Sequence, residues 1–316
     1  MAVTGVMVAA MPNPRVISVS RRSDIPALHA AWLRGRIAAG WVAYANPYNR
    51  RPIVVSLAPD AVRALVFWTR NPHPLIALLP ELEARYARRH YLHLTVTGMD
   101  RRIEERTPAV AAAVAAAATL AERYGPDYVW WRFDPILVSA GTPVEEVLDR
   151  FGRLCRLLQG VTTRCTVSFL DGYRSALANL AQAGIVPDPA YFSGASDPTR
   201  QVQMLTRLHA IASAHGIALQ TCTEDAVGAA VPGVVASRCI DPVVIERIAP
   251  GFPLPSSPSR PGCGCAVSAD IGTYDSCSHG CRYCYATRSP SVGRANAQRY
   301  RADGFPLDHL PEGDPQ

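Results

Sequence analysis

The stretch "YVWWRF" at residues 128–133 is aromatic or apolar at every position except Arg132. A strand with one face in water alternates apolar and polar residues, whereas a strand buried on both faces of a parallel sheet is continuously apolar. Five other stretches have the same character: "VISVS" (16–20), "ALVFWT" (64–69), "YLHLTVT" (91–97), "CTVSFL" (165–170) and "IALQTCT" (217–223). The sequence therefore predicts at least six strands of a parallel sheet.

Helical patterns occupy the segments between these strands. Asp24 before Pro26 is a start signal, and Thr142 with Glu145 has the spacing of a capping box. The predicted helices cover 24–40, about 108–125, 142–160 and 197–216, and all four end at a glycine.

Six βα units in series predict an α/β fold, a (β/α) barrel or partial barrel of the TIM type. An open doubly wound sheet is the alternative, although no glycine-rich dinucleotide loop follows the first strand. We expect a flexible leader over 1–15 and the barrel over 16–250. A cysteine-rich, cluster-binding segment over 251–290 and a tail over 291–316 would follow.

The composition excludes several kinds of chemistry. Among 316 residues with a formal charge of +6 there is no lysine, which excludes a P-loop lysine and a lysine Schiff base. The arginine excess permits nucleic acid as a partner without requiring it. No apolar stretch approaches the roughly 18 residues of a membrane span, and the first residues do not resemble a signal peptide. We expect a cytoplasmic protein without a membrane partner.

The strongest chemical signal is the stretch "CSHGCRYCYA" (277–286), in which Cys277, Cys281 and Cys284 have C-x3-C-x2-C spacing. Thiolates are soft ligands that suit iron–sulfur clusters and zinc. A [4Fe–4S] cluster usually has four cysteine ligands, so three cysteines would leave one iron open to a small molecule. The alternative is a zinc site completed by His279 or Cys265, or a closed cluster with Cys265 as its fourth ligand.

This spacing, with Tyr283 directly before the third cysteine, resembles the signature of radical S-adenosylmethionine enzymes. The resemblance implies that the open iron binds the amino and carboxylate groups of S-adenosylmethionine, which is cleaved to a 5′-deoxyadenosyl radical. It also implies that Tyr283 lies near the adenine and that a ferredoxin or flavodoxin donates the electron.

Four longer stretches, "ISVSRRSDIPA", "FWTRNP", "WRFDPIL" and "DIGTYDSCSHGCRYCYA", together resemble the bacterial family called domain of unknown function 1848. This resemblance implies that the βα units and the cysteine motif form one unit.

The late position of the motif departs from the radical S-adenosylmethionine pattern, in which the cysteine loop follows the first strand. A circular permutation would restore the usual geometry, because the last segment of a ring of βα units can lie beside the first strand. We therefore expect "AVSADIGTY" (266–274) to neighbour "VISVS". Ser20 to Asp24 would then lie where such enzymes hold the amino group of the cofactor, and Ser20 is predicted to bind it.

Four further cysteines, Cys222, Cys239, Cys263 and Cys265, are enough for an auxiliary iron–sulfur cluster or a closed zinc site. The alternative is that Cys222 and Cys239 are small buried residues of the core. Cys155 and Cys165 are predicted to lie in the core.

Polar residues follow the predicted strands, where α/β barrels carry their active sites. The candidates for catalysis are Arg22, Asp24, Arg70, Asn71, Arg132 and Asp134, and Glu224 is a candidate for cofactor binding. Some of these residues would instead cap helices or form Arg–Asp pairs. The favoured function is a radical S-adenosylmethionine-type enzyme with an unknown substrate. The alternative is a zinc-stabilised barrel that binds nucleic acid or a partner without redox chemistry.

Overall fold

The computed structural model describes residues 14–46, 49, 51–258, 260 and 262–303. Most of the predicted leader and the end of the predicted tail, 304–316, lie outside the described residues. The start of the predicted tail is helical, because a helix covers Pro290–Asp303.

The chain alternates strands and helices. The strands are β1 (Arg15–Val19), β2 (Trp41–Ala45), β3 (Pro52–Ser56), β4 (Val62–Thr69), β5 (His90–Thr95), β6 (Val129–Ile136), β7 (Arg164–Phe169), β8 (Ala218–Thr221), β9 (Val235–Ala236) and β10 (Ala269–Asp270). The helices are α1 (Ile25–Leu28), α2 (Ala30–Ala39), α3 (His73–Tyr86), α4 (Val110–Tyr124), α5 (Val144–Leu158), α6 (Arg174–Gln182), α7 (Thr199–Ala214), α8 (Asp225–Ala229), α9 (Pro242–Ile248) and α10 (Pro290–Asp303). All six predicted strands are present.

Eight strands form one sheet in the order β10-β1-β4-β5-β6-β7-β8-β9, and every neighbouring pair is parallel. The order follows the chain from β1 to β9, and then β10 returns to the free side of β1. A doubly wound sheet reverses its strand order part-way, so this sequential order does not support the alternative prediction. Among the described residues β9 and β10 are not paired with each other, and the sheet has these two strands as its edges.

The pairing of β10 with β1 confirms the expected place of the C-terminal segment. Ile17 is in register with Ala269, and Ser18 with Asp270. The segment "AVSADIGTY" therefore lies beside "VISVS", although about 250 residues separate them.

One element was not predicted. β2 and β3 form a separate antiparallel hairpin after α2. Its β3 strand reads "PIVVS" and is only partly buried. The six-unit count missed this hairpin because it does not belong to the parallel sheet.

The core follows from the apolar strands and the helix faces packed against them. Trp130, Trp131 and Phe133 of β6 are almost fully buried, and Phe151 of α5 stacks on Trp131 with ring centroids 5.2 Å apart. Cys155 and Cys165 lie in this core, as predicted. No described helix is long and apolar enough to cross a membrane.

Helix ends agree with the predicted signals at most positions. The Asp24 carboxylate accepts a hydrogen bond from Ala27 N, and Gly40 ends α2 in the left-handed conformation. The predicted capping box at Thr142 was wrong. α5 begins after Pro143 without a side-chain cap, because Thr142 instead pairs its backbone with Ser139 in a tight turn.

Candidate functional site

The carboxyl end of β1 is held to the C-terminal segment by one buried carboxylate. Asp270 accepts hydrogen bonds from Ser18 Oγ at 2.6 Å, Ser20 Oγ at 2.5 Å, and the backbone N–H groups of Arg21 at 2.8 Å and Gly272 at 3.1 Å. A carboxylate with four donors is fully satisfied, which offsets the cost of burying its charge. Asp270 therefore fixes the C-terminal segment against β1 at the edge where barrel enzymes carry their sites.

A second carboxylate, Asp24, joins β1 to the loop of residues 277–284, called the motif loop from here on. Asp24 Oδ2 lies 2.7 Å from His279 Nε2 and 2.8 Å from Arg70 N. Burial by itself would raise the pKa of this carboxyl. The hydrogen bond and charge of His279 and the N–H of Arg70 outweigh burial, so the pKa lies below its ordinary value. Asp24 is therefore ionised and touches both the motif loop and the end of β4.

The other side of the motif loop lies against residues 100–106, which follow β5. Cys281 forms an isolated antiparallel bridge with Glu104, and Arg282 N donates to Ile103 O at 2.9 Å. The neighbouring Glu105 carboxylate accepts from Arg282 and from Arg294 of α10, each at 2.7 Å. The motif loop is thus held between β1, the loop after β5 and α10.

Arg70, Glu104 and Tyr283 form a compact polar group directly beside the thiol of Cys281. Arg70 Nη2 lies 3.0 Å from Glu104 Oε1, and the Tyr283 hydroxyl contacts both partners. Thr97 Oγ1 donates to the same carboxylate at 2.5 Å. Because the carboxylate and the guanidinium compensate each other, this group presents a hydrogen-bonding surface of near-zero net charge next to the motif loop.

Cys277, Cys281 and Cys284 are half-buried and close enough for their charges to interact. Backbone N–H groups of His279 and Asp24 donate to Cys277 Sγ, and Ala286 N donates to Cys284 Sγ at 3.3 Å. Burial raises the pKa of the Cys277 thiol to about 12, so a metal would have to displace its proton.

Within the described residues, no three His, Cys, Asp or Glu side chains are arranged to hold a single metal ion. A zinc ion needs its ligands around one point at about 2.3 Å from each sulfur. An iron–sulfur cluster places each thiolate on a different iron, so it does not require that convergence. The donor set of three thiols fits a cluster of this kind, whereas His279 faces Asp24 and Arg106 O with its two ring nitrogens.

The other four predicted metal ligands also come together, in what we call the second cysteine group: Cys222, Cys239, Cys263 and Cys265. Their side chains form a continuous chain of sulfur contacts, from Cys222 to Cys239, then to Cys265 and finally to Cys263. All nine cysteines of the protein are described, and none forms a disulfide. Since Cys265 lies in this group, it is not placed to complete a site with the motif loop.

A family model described as "Domain of unknown function (DUF1848)" matches residues 16–286. The chain belongs to this family. The match begins in β1 and ends two residues after Cys284, so it includes both cysteine groups and confirms the resemblance drawn from four sequence stretches. No curated protein and no solved structure matches the chain. The likeness of the motif to radical S-adenosylmethionine enzymes stays a prediction.

Five of the predicted polar and aromatic site residues of this DUF1848 member lie at one of the two cysteine groups. Asp24, Arg70 and Tyr283 lie at the motif loop, as described above. Arg132 and Asp134 form an ion pair at the second cysteine group, where Arg132 Nη1 donates to Cys239 Sγ at 2.9 Å. Ser168 Oγ donates to Asp134 at 3.0 Å.

Four other predicted residues make different contacts. Ser20 donates its hydroxyl to Asp270, and Arg22 lies against the rings of Tyr44 and Tyr274. Asn71 forms the turn before α3, where its side chain accepts from His73 N at 3.2 Å. Glu224 accepts from Phe169 N at 3.1 Å, and burial raises its pKa to about 7.

Sequence reasoning missed three residues that shape the site: Asp270, Glu104 and Glu105. Asp270 is the only acidic residue of the stretch "AVSADIGTY" (266–274). Glu104 and Glu105 belong to the charged run "DRRIEERTP" (100–108) directly after β5. A carboxylate pair at a strand end was a signal that could have been used.

A cavity of about 170 Å³ opens next to the polar group of Arg70, Glu104 and Tyr283. Its lining includes Arg70, Thr97 and Glu104, together with Thr107 and the first residue of α4, Val110. A small polar molecule bound there would lie next to the partners of Tyr283.

Proposed function

We propose that this protein is an iron–sulfur enzyme in which Cys277, Cys281 and Cys284 hold a [4Fe–4S] cluster and S-adenosylmethionine binds at the open iron. The reaction class is radical-type chemistry on a substrate that the sequence does not identify. Electrons would come from a small carrier such as ferredoxin or flavodoxin.

The observation that carries this proposal is the parallel pairing of β10 with β1. It brings the motif loop to the carboxyl end of β1, where Asp24 contacts His279. A cysteine loop after the first strand is the arrangement that the radical S-adenosylmethionine resemblance implies. The late position of the motif along the chain is therefore compatible with that family pattern in space.

The environment of the thiols also supports the proposal. Backbone N–H groups donate to the sulfurs of Cys277 and Cys284, and hydrogen bonds of this kind tune the potential of a bound cluster. With three cysteines there is no fourth thiol in the motif loop, so one iron would be left for a small molecule. When bound, the cluster supplies an electron and an open coordination position.

The chain itself would orient the loop and the cofactor. The Asp24–His279 contact fixes the start of the motif loop, and the Arg70–Glu104 pair fixes the hydroxyl of Tyr283. The ring of Tyr283 packs against an apolar cluster and faces the Arg70 guanidinium, and the resemblance implies that it also lies near an adenine. The cavity beside Thr97 and Glu104 is the candidate place for the substrate.

We also infer that the sheet curves into a partial barrel. The two edge strands of the sheet, β10 and β9, are consecutive along the chain. Side chains of β5 reach the segment after β9, since Tyr91 Oη donates to Cys239 O at 2.7 Å and His93 Nε2 lies 2.8 Å from the same oxygen. Such a contact between β5 and the far edge favours a curved sheet over a flat one.

The test is to purify the full chain without oxygen and to measure its absorption, iron and sulfide. We expect a brown protein with broad absorption near 400 nm, and a reduced EPR spectrum that changes on adding S-adenosylmethionine. A variant with Cys277, Cys281 and Cys284 all changed to alanine should lose the EPR response, whereas the core variant Cys155→Ala should keep it. A colourless protein with one zinc per chain would support the zinc-stabilised alternative and overturn the proposal.

A further inference from the structure

The second cysteine group is built from three separate segments of the chain. Cys222 follows β8, Cys239 follows β9, and Cys263 and Cys265 lie in the proline- and glycine-rich segment before β10. Four thiols from three segments do not meet through local sequence, because positions this far apart must each be directed to the same place by the fold. Ordinary buried cysteines belong to an apolar core, as Cys155 does in α5, where it lies near Cys165.

The surroundings of these sulfurs are polar and cationic. Arg132, which is only 9% exposed, donates to Cys239 Sγ at 2.9 Å, and the Arg260 guanidinium is hydrogen-bonded to Cys222. The backbone N–H of Ile240 points at Cys265 Sγ at 3.5 Å. Guanidinium and N–H donors directed at sulfur would compensate the negative charge of thiolate ligands around a bound centre.

We propose that Cys222, Cys239, Cys263 and Cys265 bind a soft metal centre, either a zinc ion or an iron–sulfur cluster, that is separate from the centre at the motif loop. Four thiolates complete the ligand shell of either occupant, so this centre would be closed and structural or electron-transferring. The proposal rests on other residues than the proposed function and can hold if that function fails.

The sulfurs now form a chain of contacts and not a shell around one point, so binding requires one part of the group to move. Cys263 can do so, because it is half-buried and lies outside regular secondary structure, whereas Cys265 is buried and its carbonyl oxygen accepts from Ser257 N. Cys222 and Cys239 are held by the sheet, since Cys222 N donates to Val167 O and Cys239 O accepts from Tyr91. Cys263 would close onto the other three cysteines.

The position of the group gives it a relation to the motif loop. The Arg21 guanidinium is close enough to Cys239 and Cys265 for an electrostatic interaction. It also lies near Asp270 and Tyr285. Tyr285, directly after Cys284, donates its hydroxyl to Arg21 O at 2.7 Å. Arg21, which follows the carboxyl end of β1, thus lies between the two cysteine groups.

The experiment compares three full-length variants purified without oxygen: a quadruple alanine variant of the second cysteine group, the triple alanine variant of the motif loop, and Cys155→Ala as control. Zinc, iron and sulfide per chain are measured for each. The triple variant should keep one complete centre. The quadruple variant should lose that same centre, whereas Cys155→Ala should match the parent chain.

In the quadruple variant, loss of zinc alone identifies a zinc site, and loss of iron with sulfide identifies an iron–sulfur cluster. Either result supports the proposal. A folded triple variant without bound metal overturns it, as does a quadruple variant with the full metal content of the parent. If the quadruple variant does not fold, the metal content of the triple variant and of a Cys263→Ala variant, at a half-buried position, decides the question. Failure of the proposed function would appear separately, as a triple variant whose metal content equals that of the parent.

Discussion

His279 Nε2 lies 2.7 Å from Asp24 Oδ2, and both side chains are more than nine-tenths buried. The two residues are 255 positions apart, one at the end of the first strand and one inside the cysteine motif. The same carboxylate also accepts from Ala27 N and Arg70 N. One side chain therefore joins the start of α1, the end of β4 and the motif loop.

Asp24→Ala should lower the free energy of unfolding by roughly 3 kcal/mol, because it leaves buried donors without an acceptor at about 1–3 kcal/mol each. Urea denaturation measures this loss, and iron bound per chain should fall with it. The matched control is Asp197→Ala. Asp197 is exposed and accepts from the backbone N–H and the side chain of Thr199 at the start of α7, so its loss should cost less than about 1 kcal/mol. Equal losses in the two variants would contradict the assigned role of Asp24.

Asp270→Ala should release the C-terminal segment from β1. Four donors lose their acceptor, and the expected loss of stability is at least about 3 kcal/mol. Hydrogen exchange should show faster exchange at 266–286 than in the parent chain. Asp197→Ala, at the exposed start of α7, is again the control and should leave these amides protected. Unchanged protection in Asp270→Ala would argue against Asp270 as the main contact.

Gly293→Ala should displace the motif loop. An added Cβ would lie 2.2 Å from the carbonyl oxygen of Cys277, and a backbone atom cannot simply rotate away. We expect a loss of about 1–3 kcal/mol in unfolding free energy and lower iron content. Gly35 is the matched control, since it also lies in a helix but has no atom within 4 Å of an added Cβ. Gly35→Ala should gain about 0.5–1 kcal/mol. Stabilisation by both changes would contradict the contact.

His90 should make the protein less stable in acid. Burial lowers its pKa from 6.5 to about 4, so the unfolded chain binds a proton in this range while the folded chain does not. Stability contributed by neutral His90 is complete above pH 6.5 and is lost as the pH falls toward 4. The loss between pH 7.5 and pH 5 is about 2 kcal/mol.

His90→Asn should remove this part of the pH dependence, since asparagine does not titrate and can still face the Tyr128 hydroxyl, which lies 2.8 Å from His90 Nδ1. Urea denaturation at both pH values measures the change. His73→Asn, at an exposed histidine, controls for the substitution itself. An unchanged difference between the two pH values in His90→Asn would show that the acid sensitivity has another origin.

Much of the fold could be predicted because its signals are local. Continuous apolar runs such as "YVWWRF" identify strands buried on both faces, and glycines such as Gly40 and Gly125 identify helix ends. The spacing of Cys277, Cys281 and Cys284 is also local, and it identified the candidate site without any structure. The hairpin of β2 and β3 was missed because it lies outside the parallel sheet and β3 is only partly buried.

The amino-acid sequence by itself determined the α/β class, the parallel strands and the soft-ligand chemistry of the cysteines. Only the tertiary structure decided which residues meet. The contacts of Asp24 with His279 and of Asp270 with Ser20, and the gathering of the second cysteine group, each join residues far apart in the chain. Such contacts depend on how the whole sheet returns to its first strand, and no short stretch of sequence carries that information, because strand pairing over a long separation is selected by the packing of all the elements between.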